Sequence, residues 1–496
     1  MNPIKDIIIV GGGTAGLISA LYLKTYYPDS NILVIKSSNI GIIGVGEGST
    51  EHWEFFQRIC QLDFKEVINK TDATIKTGIL FKDWNFKGSQ YVHSVEDHKD
   101  TYFQSAYGSL SYYNQMILDN QNNFFPLSPI FSSYYIKNNI PLFESLEPTN
   151  QYHFDTFKLN SFLTQKCIEK NIKFQDCIIK NIQQNNKGEI ISLITDNDIK
   201  IKGDFFIDCS GFKRILMSKL GVKWKSFKEY LPMNEAITLT TDLNLKKGIE
   251  PYTTATALSS GWAWKIPTQT RYGNGYVFDN RYTNADSALN EFNQHLNTNI
   301  EKVAKNIKFE AGKLEKFWYK NCLSIGLSSS FAEPLEAQSI GFTILQLRSF
   351  IRYFKIYSFD KKINKDYNDN LSKSFDNIID YLQLHYLTKR NDSKFWKDKP
   401  FTLTDFNKNT LERFSHGVFL MDELQGENIM FKVPHFYQIY SGLELLNKKT
   451  IGYYYQNFPK KLLEIFKNYT KNHPKLEWNS ISHIDYLKLI KENYSS

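Results

Sequence analysis

The sequence predicts an α/β fold that opens on a parallel βαβ sheet, continues through further mixed and antiparallel strands, and ends in a mostly helical part. Three observations predict it. An apolar run, Ile7-Ile8-Ile9-Val10, leads straight into Gly11-Gly12-Gly13-Thr14-Ala15-Gly16. Short apolar runs recur near 172–182, 189–195, 199–207, 236–242 and 274–279, parted by turns such as Asn185-Asn186-Lys187-Gly188. From about residue 345 the pattern lengthens into amphipathic stretches, among them 376–386 and 482–493, whose apolar spacing is that of helices.

Residues 5–36 read as one β-α-β unit. The apolar run is the strand, 17–26 is an amphipathic helix, Pro28-Asp29-Ser30 is the turn, and 31–36 is the second strand. Glycines in this place do specific work. Gly11 permits the tight turn, Gly13 lets backbone approach a pyrophosphate, and Gly16 allows close packing of helix on strand, while the helix start offers amides and a positive dipole end. The lobe is therefore Rossmann-type. One position departs from the pattern: the second strand ends in Lys36, where an Asp or Glu normally accepts from ribose hydroxyls, and an ammonium has no acceptor. Either Ser37 takes over that role or Lys36 reaches a phosphate instead.

The later runs imply a largely antiparallel sheet threaded through the same lobe. The linear reading places a first lobe at 1–345, with inserted substrate-pocket segments at about 80–160, and a mostly helical substrate lobe at 346–496. The Lys/Asn-rich patch 361–370 reads as an exposed loop.

Composition narrows the function classes. Sixty Lys and Arg against 52 Asp and Glu give +8, but no run of five basic residues forms, which argues against nucleic-acid binding. Five cysteines, Cys60, Cys167, Cys177, Cys209 and Cys322, show no C-x-x-C spacing, so no disulfide framework or zinc site is expected. No His/acidic cluster has metal spacing either. With no signal-like leader and no apolar run near 18 residues, a soluble protein of the reducing cytoplasm is the expectation. Aromatics at 15% fill core and leave some for a flat substrate.

Four further segments carry chemistry: Gly44-Val45-Gly46-Glu47-Gly48, Ala73–Trp84 with Lys76, Gly261-Trp262-Ala263-Trp264-Lys265-Ile266-Pro267, and Phe331–Ile340 with Glu333-Pro334-Leu335-Glu336. Together with the glycine turn and Asp204–Gly211, they resemble the tryptophan-halogenase family of flavin-dependent halogenases over most of the first 400 residues. The resemblance implies a flavoprotein-monooxygenase-like lobe holding FAD, used as FADH2 with O2 and a halide ion. A separate NAD(P)H-dependent flavin reductase would supply it, and the substrate would be a small electron-rich aromatic of indole or phenol type.

The same resemblance assigns roles. Gly11, Gly12, Gly13, Thr14, Ala15, Gly16, Ser37, Gly44, Gly46, Ile178, Asp208, Leu327 and Ile340 would contact FAD. Backbone amides of Gln338 and Ser339 would hold the halide. Lys76 would capture hypohalous acid and Glu336 would face it, orienting the oxidant or taking the ring proton; Lys82 is a decoy. Trp262 and Trp264 would wall flavin from substrate, and His93 would line the substrate site. His153 and His385 match structural motifs. Gln338 departs from the family's usual threonine, which points to an altered preference among chloride, bromide and iodide.

An FAD-dependent aromatic hydroxylase is the alternative, opposed by Lys76, Glu336 and the W-x-W-x-I-P string. A non-catalytic flavin-binding relic is the third reading. Beyond Trp396 the resemblance fades, leaving Tyr453-Tyr454-Tyr455 and His435-Phe436-Tyr437 as aromatic candidates, and substrate, halide and oligomeric state open, a homodimer among the options.

Overall fold

A computed structural model describes residues 4–94 apart from 43 and 45, 151–357 apart from 302 and 304, 361–416, 424, 426, 428–445, 461, 464 and 482–495. The chain forms two compact units. One gathers Met1–Ala73, Phe154–Lys228 and Phe309–Asp376; the other gathers Thr74–His153, Glu229–Lys308 and Asn377–Ser496. The single cut near residue 345 expected from the sequence is thus replaced by an interleaved partition. Parallel strand pairing is the cause, because it joins segments far apart in the chain.

The first unit is built on a six-stranded sheet in the order Trp318–Tyr319, Cys322–Ser324, Phe205–Asp208, Asp6–Val10, Asn31–Lys36, Lys173–Asp176. All its pairings are parallel except the edge pair Trp318–Tyr319 with Cys322–Ser324. Ile7, Ile8, Ile9 and Val10 are all buried, as expected of a central strand covered on both faces. Each such side chain contributes about 1.5–3 kcal/mol by leaving water. The helix Thr14–Tyr26 follows, packed against the helices Thr156–Glu169 and Gln338–Tyr357. A separate antiparallel sheet of Ile179–Gln184, Ile190–Thr195 and Lys200–Lys202 accounts for the middle runs seen in the sequence.

The second unit centres on a seven-stranded sheet: Lys305–Lys308, Glu235–Asp242, Arg271–Phe278, Gly261–Pro267, Thr253–Ala257, Gly78–Lys82, Gln90–Ser94. Only Thr253–Ala257 with Gly78–Lys82 is parallel. The helix Ala285–Leu296 covers one face through Ala288 and Phe292, which pack on Ile237, Leu239, Tyr276 and Phe278.

The patch 361–370 is not a loop. It starts the helix Lys361–Leu384, in which Ile363, Tyr367, Leu371, Phe375 and Ile378 are buried. Their spacing of four, four, four and three is helical, and within the patch Lys365, Asp366 and Asp369 lie on the exposed face. The stretch 376–386 lies largely in this helix, and 482–493 corresponds to the helix His483–Ser495. The five cysteines are free. No helix among the described residues is long and apolar enough to cross a membrane.

Candidate active site

The glycine turn is shaped for a pyrophosphate. Gly11 has φ +124°, and a Cβ there would stand 2.1 Å from the Cys209 carbonyl oxygen. At Gly16 a Cβ would meet the Gly11 carbonyl oxygen at 1.9 Å. Gly13, by contrast, has nothing within 4 Å of its missing Cβ, and no side chain caps the helix that starts at Thr14. That leaves open space in front of amides that have no partner within the helix, the setting an anion requires. Gly12 is held from behind, its carbonyl accepting from Asn160 Nδ2 at 2.9 Å.

Across the turn, Thr14 Oγ1 donates to Glu47 Oε1 at 3.4 Å, and burial pushes the Glu47 carboxyl up to about 7. Gly44 has φ +140° and lies against Thr156 so closely that a Cβ would stand 2.7 Å from its Cγ2. Gly46 adjoins Glu47 in the same strap. Gly326, with φ +69°, brings the turn Gly326–Ser328 against Ala15, where a Cβ would approach the Ala15 Cβ to 2.6 Å. This places half-buried Leu327 at the glycine turn, while Ile340 is buried in the helix Gln338–Tyr357. These features fit an FAD.

Two assigned contacts read differently in the structure. Asp208 is fully buried, and its carboxylate already accepts from Ser210 N and Oγ, Leu216 N and Met217 N at 2.6–3.1 Å. It organises the turn after its strand and caps the short helix Ile215–Lys219. Ile178 has both backbone groups engaged by Asp196: its N–H donates to Oδ1 at 3.2 Å and its carbonyl accepts from Asp196 N at 2.8 Å.

The end of the second strand supplies a feature the sequence reading missed. Lys36 pairs in register with Asp176 on the neighbouring parallel strand. The Asp176 carboxylate accepts from Ser38 N at 3.0 Å, and the Ser38 amide and hydroxyl together hold it below the usual Asp range. An ionised acceptor therefore stands beside Ser37 even though the second strand itself ends in lysine.

In the other unit, Lys76 is 3% exposed and follows the two-residue strand Thr74–Ile75. Its surroundings are tightly bonded. Lys76 N donates to Gln151 O at 3.1 Å, and Thr77 donates through N and Oγ1 to Pro251 O, each at 2.7 Å. Thr74 Oγ1 donates to Pro267 O at 2.8 Å, so it must accept from His153 Nδ1–H at 3.0 Å; His153 Nε2 then accepts from Thr253 Oγ1 at 2.9 Å. His153 is fully buried and neutral, held well below the ordinary histidine range by burial, by Lys76 and by His483. Lys82 differs from Lys76 in being only half-buried, on the strand Gly78–Lys82; burial lowers its pKa, with Lys265 adding to the effect.

Glu336 is 2% exposed, in the loop before the helix Gln338–Tyr357. Gln338 braces that loop: its Nε2 donates to the carbonyls of Ala332 at 3.3 Å and Glu333 at 2.8 Å. A threonine could not span both. Gln338 N and Ser339 N are the first amides of a 20-residue helix, suited by dipole to a halide.

Trp262 and Trp264 lie on one face of the strand Gly261–Pro267 with ring centroids 5.9 Å apart. Trp262 is buried and Trp264 half-buried. Trp264 covers Gly275 on the paired strand; a Cβ there would fall 2.1 Å from the indole. His93, half-buried, joins Tyr381, His435 and Phe431 in an aromatic cluster, its ring 5.6, 5.3 and 6.4 Å from theirs. Phe436 and Tyr437 are buried. His385 Nδ1 bonds Tyr91 OH at 2.8 Å and its ring stacks on Phe81. Tyr453 to Tyr455, and most of the insert at about 80–160, lie outside the described residues.

A family model for tryptophan halogenase matches residues 6–454. The chain belongs to the tryptophan halogenase family. Tryptophan 6-halogenase SttH from Streptomyces toxytricini is 30% identical over 431 residues, covering 80% of this chain and 81% of that protein. Tryptophan 7-halogenase RebH from Lentzea aerocolonigenes is 30% identical over 442 residues, covering 84% and 83%. Among solved structures, BrvH, a flavin-dependent halogenase from Brevundimonas sp. BAL3, superposes with a TM-score of 0.84 at 26% identity, covering 98% of this chain and 99% of that one. Flavin-dependent halogenases use FAD in its reduced form and a halide, and take the reduced flavin from a separate reductase. In this halogenase-family chain no cluster of metal-ligating side chains occurs among the described residues.

Proposed function

We propose that this chain is an FADH2-dependent halogenase that directs hypohalous acid through Lys76 onto an electron-rich aromatic ring of indole or phenol type. When bound, reduced FAD supplies the reaction of O2 and halide that yields hypohalous acid. Gly11 to Gly16 would take the pyrophosphate, Asp176 and Ser37 the adenine-side ribose, Gly44 and Gly46 the strap side, and Leu327 and Ile340 the ring system. Gln338 N and Ser339 N hold the halide.

The observation that carries the reading is the burial of Lys76 in a segment held by hydrogen bonds at Thr74, Lys76 and Thr77. Lysine is almost never buried unless specific partners hold it in place, so a buried lysine marks a built site in a way that a solvated one does not. Lys76 donates a hydrogen bond to the oxygen of hypohalous acid. The halogen–oxygen bond breaks as the ring carbon bonds halogen, the departing hydroxide takes a proton from the Lys76 ammonium and leaves as water, Glu336 accepts the ring proton, and one net proton passed back to Lys76 restores both groups. Aromatic ring plus hypohalous acid thus gives halogenated ring plus water. Trp262 and Trp264 keep the ring from direct oxygen transfer, and the cluster at His93 lines the ring's site.

Product mass tests this. Protein with FAD, reductase, NADH, O2 and each halide should add halogen in place of hydrogen on a ring from an indole and phenol panel. Addition of oxygen instead would assign a hydroxylase.

A further inference from the structure

His483 begins the last helix and is 1% exposed, and both of its ring nitrogens are engaged. Nδ1 lies 3.2 Å from the Ile249 carbonyl oxygen, which can only accept, so Nδ1 carries the hydrogen. Nε2 is then the acceptor, and the group donating to it at 3.1 Å is the backbone N–H of Ile75. That amide belongs to the residue immediately before Lys76, 408 positions away in the chain. The strand Thr74–Ile75 is only two residues long and pairs with Tyr152–Phe154 through His153 and Tyr152. So short a ladder fixes backbone poorly by itself, and side-chain partners must complete it. His153 does so at Thr74 and His483 at Ile75.

The helix that presents His483 is itself anchored. Ser482 Oγ accepts from Asp485 N at 3.2 Å, and Tyr486, Leu487 and Ile490 are buried. An apolar side chain would fill the same volume; only a group with a donor on one side and an acceptor on the other bridges Ile249 O and Ile75 N.

We propose that His483 is a positioning residue for Lys76, its neutral imidazole pinning the amide of the preceding residue, Ile75, to the segment at Ile249 so that the ammonium meets hypohalous acid at a fixed point. The inference rests on Lys76 as the halogenating lysine. It assigns a role to the carboxy-terminal helix, which contributes nothing to halogenation by its sequence motifs.

The test compares wild type, Lys76→Ala, His483→Leu and His483→Gln in the full chain with FAD, reductase, halide and an accepted ring. Product turnover, KM, FAD affinity and escape of hypohalous acid to a chromogenic scavenger are measured. Glutamine can offer a donor and an acceptor in place of the imidazole. His483→Leu should lower kcat at least tenfold with FAD affinity within about twofold of wild type and raise scavenger halogenation, and His483→Gln should recover kcat to within about threefold. Folded His483→Leu with wild-type kcat, or His483→Gln as impaired as leucine, would overturn the proposal. If the leucine variant does not fold, amide exchange in wild type decides: slow exchange at Ile75 agrees, and exchange at the rate of an exposed amide overturns it. Lys76→Ala separates the two claims. If it keeps full directed product, the lysine reading itself fails; if it abolishes product while folded His483→Leu is unimpaired, only the positioning role fails.

Discussion

Lys36 and Asp176 stand opposite one another at the ends of two parallel strands, and the Asp176 carboxylate reaches across to the Ser38 amide at 3.0 Å. The acid missing from the second strand is thus present one strand over. It predicts that Asp176→Asn weakens FAD binding by roughly tenfold, since a charge-assisted hydrogen bond to a hydroxyl becomes a neutral one. Titration by flavin fluorescence checks this; unchanged affinity would return the ribose to Ser37 alone.

Stability should fall on the acid side through the buried histidines. His483 is held down at about 4, chiefly by burial, opposed by its bond to Ile249 and by Glu250; His153 is lowered by burial, then by Lys76 and His483. A histidine with a depressed folded pKa takes up its proton more readily when unfolded, so stability declines as pH drops from about 6.5 to 4. His483 alone accounts for about 3 kcal/mol over that window. Denaturant melts of wild type and His483→Gln at pH 7 and 5 measure it: the wild type should lose more stability than the variant, and parallel losses would refute the assignment.

Gly275→Ala should destabilise the second unit by about 1–3 kcal/mol, because the new Cβ must displace the Trp264 indole. Thermal melts read the cost, and a Trp264→Leu background should relieve most of it. A cost that persists there would show that strand backbone, not the indole, sets it.

Gln338→Thr restores the residue usual in the family but removes the donors to Ala332 and Glu333 carbonyls. The expected outcome is a loss of about 1–2 kcal/mol and a shifted chloride-to-bromide product ratio. An unchanged melting temperature and ratio would mean the brace carries neither stability nor halide preference.

Legibility in the sequence followed the range of the interaction. The first strand, glycine turn and helix were readable because each glycine's role is local. The first part of the helix Lys361–Leu384 was read as a loop because Lys and Asn outweighed a four-residue apolar spacing, whereas its later part, from 376, was read as helix. That the Asp208 carboxylate caps its own turn was not legible, because in one dimension such a carboxylate looks like one offered to a ligand. Asp176 and His483 could not be found from motifs at all: one acts through strand register and the other through a contact spanning 408 positions. The signal that pointed toward Asp176 was the misfit at Lys36, which required an acceptor from elsewhere.

The central claim is that Lys76 delivers the halogen. The direct measurement is single-turnover halogenation of an accepted ring by wild type and Lys76→Ala, each preloaded with FADH2 and mixed with O2 and halide, following flavin oxidation and ring product together. Flavin should oxidise at the same rate in both, with halogenated ring formed by wild type alone. Equal product from the two would contradict the account and leave freely diffusing hypohalous acid as the halogenating agent.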